Sequence, residues 1–274
     1  MKKIPVIAIV GPTALGKSNL AVLVAKKIGG EVVSADSRQV YKGLNIGTGK
    51  ITKKEMLGVP HHMLDIANPK KRISVVEFTR LATKKISEIS RRGNVPIICG
   101  GTGFYIDELL FPSNIPEVKA NKKLRAKLAK VSVEKLFLRL KKMDNRRSKE
   151  IDPKNKVRII RALEIIDALG KVPKRTQGKS PYDVLVIELD APLDFIRSNI
   201  KKRLVKRMSQ GLLAEGKKLI KSGLSYKQLE AFGLEYKWLA KFLQKQITKK
   251  TFINGLENDI YQYARRQRTW FKKH

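Results

Sequence analysis

With 274 residues and 42% hydrophobic content, the chain is long enough for one large domain or for a core domain carrying a smaller one. A single cysteine, Cys99, excludes an intramolecular disulfide and a cysteine zinc site; the lack of any run of about eighteen apolar residues excludes a membrane-crossing helix, and the start enters a strand pattern, not a signal-peptide pattern, so a soluble, cytoplasmic protein with no membrane partner is expected. The formal net charge of +35, from 59 Lys+Arg against 24 Asp+Glu, exceeds ordinary surface balance and points to a polyanionic partner.

A uniformly lysine-rich, solvated surface is the plainer reading of that charge. The excess is uneven, however: the first hundred residues mix both signs, whereas Lys119 to Arg175 and Ile200 to Lys221 are densely basic. Concentration of this kind favours a binding surface.

In chain order, the first predicted element is the mostly β-branched run Val6-Ile7-Ala8-Ile9-Val10, which reads as a buried parallel strand. It leads into Gly11-Pro12-Thr13-Ala14-Leu15-Gly16-Lys17-Ser18, after which Leu20, Leu23, Val24 and Ile28 recur at helical spacing. Strand, glycine loop and helix in this order are the setting of a phosphate-binding loop. Gly11 and Gly16 let the backbone curl so that several N–H groups and the helix N-terminus face one anion, with the Lys17 ammonium added from the side. Ser18 is then placed to ligate a Mg²⁺ ion held by the phosphates. An ordinary glycine turn before a helix is the alternative.

Further strands are predicted at Glu31-Val32-Val33-Ser34-Ala35 and Val95-Pro96-Ile97-Ile98-Cys99. They end at Asp36-Ser37-Arg38-Gln39 and at Gly100-Gly101-Thr102-Gly103, the strand ends where open α/β sheets build ligand sites. Between them a helix over Val75 to Ser90 is predicted, with Val76, Phe78, Leu81, Ala82, Ile86 and Ile89 as its apolar face. The alternation implies an α/β fold with a P-loop NTPase-like, doubly wound parallel sheet.

Pro112 and Pro116 interrupt the chain, and basic helical segments follow to about residue 170. An inserted, basic helical subdomain over residues 113–181 is therefore expected, with 1–112 and 182–274 forming the core domain and its C-terminal helices. Val184-Leu185-Val186-Ile187-Glu188-Leu189 reads as a strand returning to the sheet, and helices resume from Asp194. The last segment places Phe252, Leu256, Ile260 and Tyr263 on an inward face, with Arg265, Arg266 and Arg268 partly outward. Adjacent His61 and His62 cannot easily ligate one ion from an extended chain and are read as structural. Cys99, at the end of an apolar strand, is read as core.

Taken together, Gly11 to Ser18, Ser34 to Thr48, Val59-Pro60-His61-His62, Gly100-Gly101-Thr102-Gly103, Arg161-Ala162-Leu163-Glu164 and Ala264-Arg265-Arg266-Gln267 resemble the tRNA dimethylallyltransferases, or tRNA isopentenyltransferases. These stretches span nearly the whole chain in the family's order. The resemblance implies transfer of a dimethylallyl group from dimethylallyl diphosphate to the exocyclic amine of the adenosine 3′-adjacent to the anticodon, in tRNAs reading codons that begin with U. Isopentenyladenosine and diphosphate would be the products. Mg²⁺ is the implied cofactor, the tRNA anticodon stem-loop the implied partner, and a monomer the expected state.

The residues make chemical sense of that reaction. The adenine amine is a poor nucleophile because its lone pair is delocalised into the ring, so a positioned base must take its proton. Asp36 is the candidate, with a magnesium-associated or helix-capping carboxylate as the alternative. Negative charge develops on the leaving diphosphate and must be met there; Gly11, Pro12, Thr13, Ala14, Leu15, Gly16, Lys17 and Ser18 would hold it. The Thr13 hydroxyl is a candidate donor to the bridging oxygen, or only stiffens the turn. Arg203 aligns with the family's diphosphate arginine, although Arg207 lies one helical turn on and either can reach, and a solvated basic face is the plainer reading.

For tRNA, Asp36, Ser37, Arg38 and Gln39 offer donors and acceptors to an adenine extruded from its stack. Thr102, Arg125, the run Val157-Arg158-Ile159-Ile160-Arg161, and Arg265, Arg266 and Gln267 match further contact positions. Arg158 and Arg161 share a helical face, as phosphate clamps should, though Glu164 beyond Arg161 also permits an internal ion pair.

Two departures from the family pattern stand out. Its usual Gly-Tyr-Lys-Glu appears here as Gly233-Leu234-Glu235-Tyr236-Lys237, and the chain ends at His274 without the tail or zinc finger that some members carry. Competing functions are prenyl transfer to free adenine nucleotides, which needs no such basic surface, a phosphate-loop kinase using ATP, and a non-catalytic RNA-binding module, against which the intact Lys17-Ser18 pair argues.

Overall fold

The computed structural model describes residues 3–273. The chain divides into two compact units, Met1–Pro112 with Lys179–His274, and Ser113–Gly178. The larger unit is built on strands β1 (Ile4–Val10), β2 (Gly30–Ser34), β3 (His61–His62), β4 (Val95–Cys99) and β5 (Tyr182–Glu188). They form one sheet in the order β3-β2-β4-β1-β5, with every pairing parallel. The α/β class and the parallel sheet anticipated from the alternating pattern are therefore found. The two-residue strand β3 is too short to leave a periodic signal.

Register places the site. Ile9 lies opposite both Cys99 and Ile187, and Ser34 opposite Cys99. The ends of β1, β2 and β4 thus fall at one level, and the loop after β4 leaves the sheet between those after β1 and β2. Backbone bonds from Ala35 N–H to the Cys99 carbonyl, 2.8 Å, and from Gly100 N–H to the Ile9 carbonyl, 3.2 Å, extend this alignment past the strands.

The helix Lys17–Ile28 corrects one expectation. Its buried residues are Ala21, Val22 and Ala25, whereas Leu23 and Ile28 are exposed. Small side chains let the helix lie close on the sheet, which larger residues on that face would prevent. In the helix Val75–Arg91 the buried line is Phe78, Ala82, Ile86 and Ile89. Val76, also expected there, is exposed, since it sits two residues before Phe78 and so about 200° round the helix. On β5, an edge strand, Leu185 and Val186 are exposed.

The last helix, Lys249–Phe271, buries Phe252, Leu256, Ile260, Ala264, Gln267 and Phe271. Tyr263 is only half-buried, so the inward line continues through Ala264 and Gln267 instead. Arg265 and Arg266 are exposed, while Arg268 grips Asp190 at 2.7 Å.

The smaller unit has its own core of Leu128, Leu136, Leu140, Ile159, Leu163 and Ile166. Its helices Lys122–Ala129, Val133–Met143, Asn145–Glu150 and Lys156–Leu169 each start at a side-chain cap, from Asn121, Ser132, Asp144 and Asn155. Such caps satisfy N–H groups that a helix leaves open at its first turn. Among the described residues no helix is long and apolar enough to cross a membrane.

Candidate active site

A cavity of about 390 Å³ opens at the carboxyl ends of the strands, with Thr13, Lys17, Asp36, Arg38, Arg203 and Tyr263 in its wall. The loop after β1 forms one side. Gly11 has φ +128°, and a Cβ there would run into the Leu189 carbonyl, so this turn requires glycine. Ala14 also takes a positive φ, 68°. The helix that follows begins at Lys17 with no side-chain cap, which leaves first-turn N–H groups facing the loop for an anion.

The Lys17 ammonium donates to the Pro12 carbonyl at 2.5 Å. Burial pushes its pKa down to about 8, and the neighbouring Arg203 guanidinium adds to the fall while Cys99 and Asp36 oppose it. Arg203, on the helix Leu193–Ser209, is pushed down to about 10 by burial and by the like charge of Arg207. Two cations are thus held partly desolvated in one cavity, a cost that a bound polyanion would relieve.

Arg203 Nη1 donates to Thr13 Oγ1 at 3.2 Å. Because that bond fills an acceptor position of the hydroxyl, the Thr13 proton is left to donate elsewhere. The backbone N–H of Thr13 is in turn held by Gln267 Oε1 at 2.9 Å.

The structure separates the two candidate arginines. Arg203 has no carboxylate within ion-pair distance among the described residues, whereas Arg207 Nη1 pairs with the buried Glu235 at 2.7 Å. Gly49, at φ +60°, makes room for both, since a Cβ there would collide with their guanidinium groups. Arg203 is therefore the one free to meet a ligand.

Asp36 follows β2 on the opposite side. Its Oδ1 accepts the N–H groups of Arg38 at 2.8 Å and Gln39 at 3.2 Å, a local turn that fixes the carboxylate, while Oδ2 takes no hydrogen bond among the described residues. Ser37 N–H donates to Thr102 Oγ1 at 3.0 Å, so the glycine loop after β4 braces the Asp36 turn. Gln39 Nε2 reaches the Thr48 carbonyl at 3.4 Å. Arg38 lies over the Tyr263 ring, 5.2 Å from its centroid, and bonds Glu235 at 3.1 Å.

Several residues expected at a tRNA surface are placed otherwise. Gln267 is buried and uses both ends of its amide on the protein, the second on the Gly101 carbonyl at 2.7 Å. In the smaller unit Arg125 makes a bidentate pair with Glu164, at 2.8 and 2.7 Å, and Arg161 joins the same carboxylate. Ile159 is fully buried in that unit's core, Ile160 half-buried, and Val157 and Arg158 exposed. The internal ion pair, left open by the spacing, is what Arg161 forms.

His62 Nε2 lies 2.6 Å from Glu31, which Arg92 and Asn94 also bind. Although burial alone would raise it, the Glu31 carboxyl is held at about 2 by these partners. No group of three or more His, Cys, Asp or Glu placed for a metal occurs among the described residues. Burial pushes the Cys99 thiol up to about 11, which keeps it unreactive.

Two acids escaped the sequence reading. Glu235 ties Arg38 to Arg207, and Glu215 accepts the N–H groups of Asn45, Ile46 and Gly47 at 2.9, 2.7 and 3.0 Å together with the Tyr236 hydroxyl at 2.8 Å. Glu215 thereby holds the segment that carries Thr48 and Gly49 into the cavity wall. The sequence signal for Glu215 is its isolation among lysines, and for Glu235 its place in the segment 233–237 that departs from the family pattern.

The family model for IPP transferase matches residues 39–274. A tRNA dimethylallyltransferase of Halalkalibacterium halodurans is 39% identical over 276 residues, covering 97% of this chain and 87% of the relative. One from Anoxybacillus flavithermus is 38% identical, with coverage of 97% and 87%. Among solved structures, the tRNA isopentenylpyrophosphate transferase of Bacillus halodurans aligns with a TM-score of 0.74 at 38% identity over 100% of this chain and 88% of that one. A eukaryotic dimethylallyltransferase acting on tRNA aligns with a TM-score of 0.81 at 28% identity, over 97% and 69%. With a family match across most of its length and relatives of this identity along the whole fold, the chain belongs to the IPP transferase family.

Proposed function

We propose that the protein transfers a dimethylallyl group from dimethylallyl diphosphate to the exocyclic amine of the adenosine 3′-adjacent to the anticodon in tRNA. The observation that carries this reading is the polarity of one cavity: Thr13, Lys17 and Arg203 line it with donors and cations, and the Asp36 carboxylate faces the same space. The names of the similar proteins support the same reaction.

In this mechanism the diphosphate lies along the loop from Gly11 to Ser18, under the first-turn N–H groups and the Lys17 ammonium. The amine nitrogen attacks the first carbon of the dimethylallyl group as the carbon–oxygen bond to diphosphate breaks. Arg203 and the Thr13 hydroxyl meet the charge that grows on the departing oxygen. Asp36, through its unoccupied Oδ2, takes the proton released by the amine. The exposed Ser18 hydroxyl suits Mg²⁺, which takes few protein oxygens and fills its shell with water and phosphate. Bound there, the ion would neutralise diphosphate charge.

Arg38, Gln39 and Thr102 shape the side that receives the adenine, and the exposed Arg158, Arg265 and Arg266 offer charge to the tRNA backbone. Working with so large a soluble partner, the protein acts as a monomer in the cytoplasm. The test is incubation with labelled dimethylallyl diphosphate and an unmodified anticodon stem-loop, followed by nucleoside analysis. Isopentenyladenosine is the expected product. Transfer to free AMP at a comparable rate, or phosphate transfer from ATP in its place, would overturn the reading.

A further inference from the structure

A carboxylate in the wall of an anion site works against binding, so its presence needs a reason. Glu235 lines the cavity that Lys17 and Arg203 also line, is 5% exposed, and lies in the segment where this chain departs from the family pattern. One oxygen accepts Arg207 Nη1 at 2.7 Å and the other Arg38 Nη1 at 3.1 Å. Arg38 belongs to the turn that carries Asp36, and Arg207 sits one helical turn from Arg203. The preceding backbone is constrained as well: Gly233 and Leu234 both take positive φ, 72° and 37°, as the helix Leu234–Leu243 begins. For leucine that conformation is strained, and it brings the carboxylate to both guanidinium groups.

We infer that Glu235 is a positioning residue of the transfer site, binding Arg38 so as to fix the Asp36 turn and neutralising Arg207 so that Arg203 alone meets the diphosphate. This rests on the proposed prenyl transfer for the Asp36 half; the diphosphate half stands without it. Glu235 thus trades anion affinity for order: removing its charge leaves Arg207 uncompensated beside the anion and lets the base-bearing turn move.

The test compares Glu235→Gln with wild type in calorimetric binding of inorganic diphosphate and in steady-state transfer to the stem-loop. Diphosphate should bind about tenfold tighter, because the cavity gains a net positive charge, while kcat falls by about tenfold or more as Asp36 loses its fixed position. The double variant E235Q/R207Q should return diphosphate affinity to near the wild-type value, since both charges are then gone, and Glu235→Asp should recover part of kcat. Unchanged or weaker diphosphate binding in Glu235→Gln overturns the inference, as does an equal loss in Glu235→Gln and Glu235→Asp that follows a drop in melting temperature. Should Glu235→Gln fail to fold, the double variant is compared with Arg207→Gln, which leaves Glu235 free to repel the anion: weaker diphosphate binding by Arg207→Gln than by the double variant supports the inference, and equal binding overturns it. Inactive wild type would sink the prenyl-transfer reading and leave the diphosphate comparison intact.

Discussion

Gln267 accepts the backbone N–H of Thr13 at 2.9 Å across a sequence separation of 254 residues. The same amide donates to the Gly101 carbonyl at 2.7 Å, so one buried side chain ties the loop after β1 to the glycine loop after β4. Gly101 permits this approach, since a Cβ there would meet the Gln267 amide nitrogen.

Gln267→Ala should strand both groups, lowering stability in urea by about 1–3 kcal/mol. It should also raise KM for dimethylallyl diphosphate, because the loop then orders only on binding. Gln267→Glu keeps the acceptor for Thr13 but sets a carboxylate against the Gly101 carbonyl and into the anion cavity, and should show the larger rise. A wild-type KM in Gln267→Ala would show that other contacts hold the loop.

Lys17 carries a pH dependence with a definite sign. Its amine sits at about 8 in the unliganded cavity, and a bound diphosphate must raise that value by opposite charge. Affinity for diphosphate is therefore complete below about pH 8 and declines as pH rises through it, by at most about tenfold per pH unit until the pKa of the complex is reached. Calorimetry against Lys17→Arg, whose charge persists, isolates this step: the variant should lack the decline that wild type shows.

In the proposed reaction Asp36 is the base, and it also forms a turn, because Oδ1 caps the N–H groups of Arg38 and Gln39. Asp36→Asn keeps an acceptor for the turn and removes the basicity, which makes it a cleaner probe than Asp36→Ala. We expect kcat to fall about a hundred- to ten-thousandfold, with diphosphate affinity within about threefold of wild type by the same calorimetry. Retained turnover would exclude Asp36 as the proton acceptor.

Arg125 and Arg158 should part company when mutated. Glu164 is 1% exposed and, although burial acts to raise it, Arg125 and Arg161 hold it at about 2. Its folded pKa lies below the ordinary 4.5, so the stability it contributes is complete above about pH 4.5 and lost as pH falls toward 2. Arg125→Ala should cost about 1–3 kcal/mol near neutrality and shrink that acid-sensitive part, as thermal melting across the pH range would show. Arg158→Ala should leave melting unchanged and lower the salt slope of tRNA binding by about one. Equal effects of the two on tRNA affinity, with no loss of stability in either, would refute the division.

Local signals were strongest where geometry depends on neighbours in sequence. The strand, loop and helix around Gly11 to Ser18 were legible because β-branched runs, glycine positions and helical spacing are short-range properties. Legibility failed where partners lie far apart: Leu23 and Ile28 have the spacing of a buried face, yet Ala21, Val22 and Ala25 are what the helix buries. Gln267 looked like part of a basic tRNA motif and is a buried brace, while Arg161 looked like a phosphate clamp and grips Glu164.

The sequence by itself determined the fold class and the family, since each is written in contiguous motifs and in the order of elements. Only the tertiary structure decided which arginine is free. Arg203 and Arg207 stand on one helix with equivalent spacing, and what separates them is Glu235, delivered from another helix to Arg207 and Arg38. Charge pairing in a buried site follows distance in space, because a desolvated guanidinium is compensated only by a carboxylate that packing brings within a few ångströms.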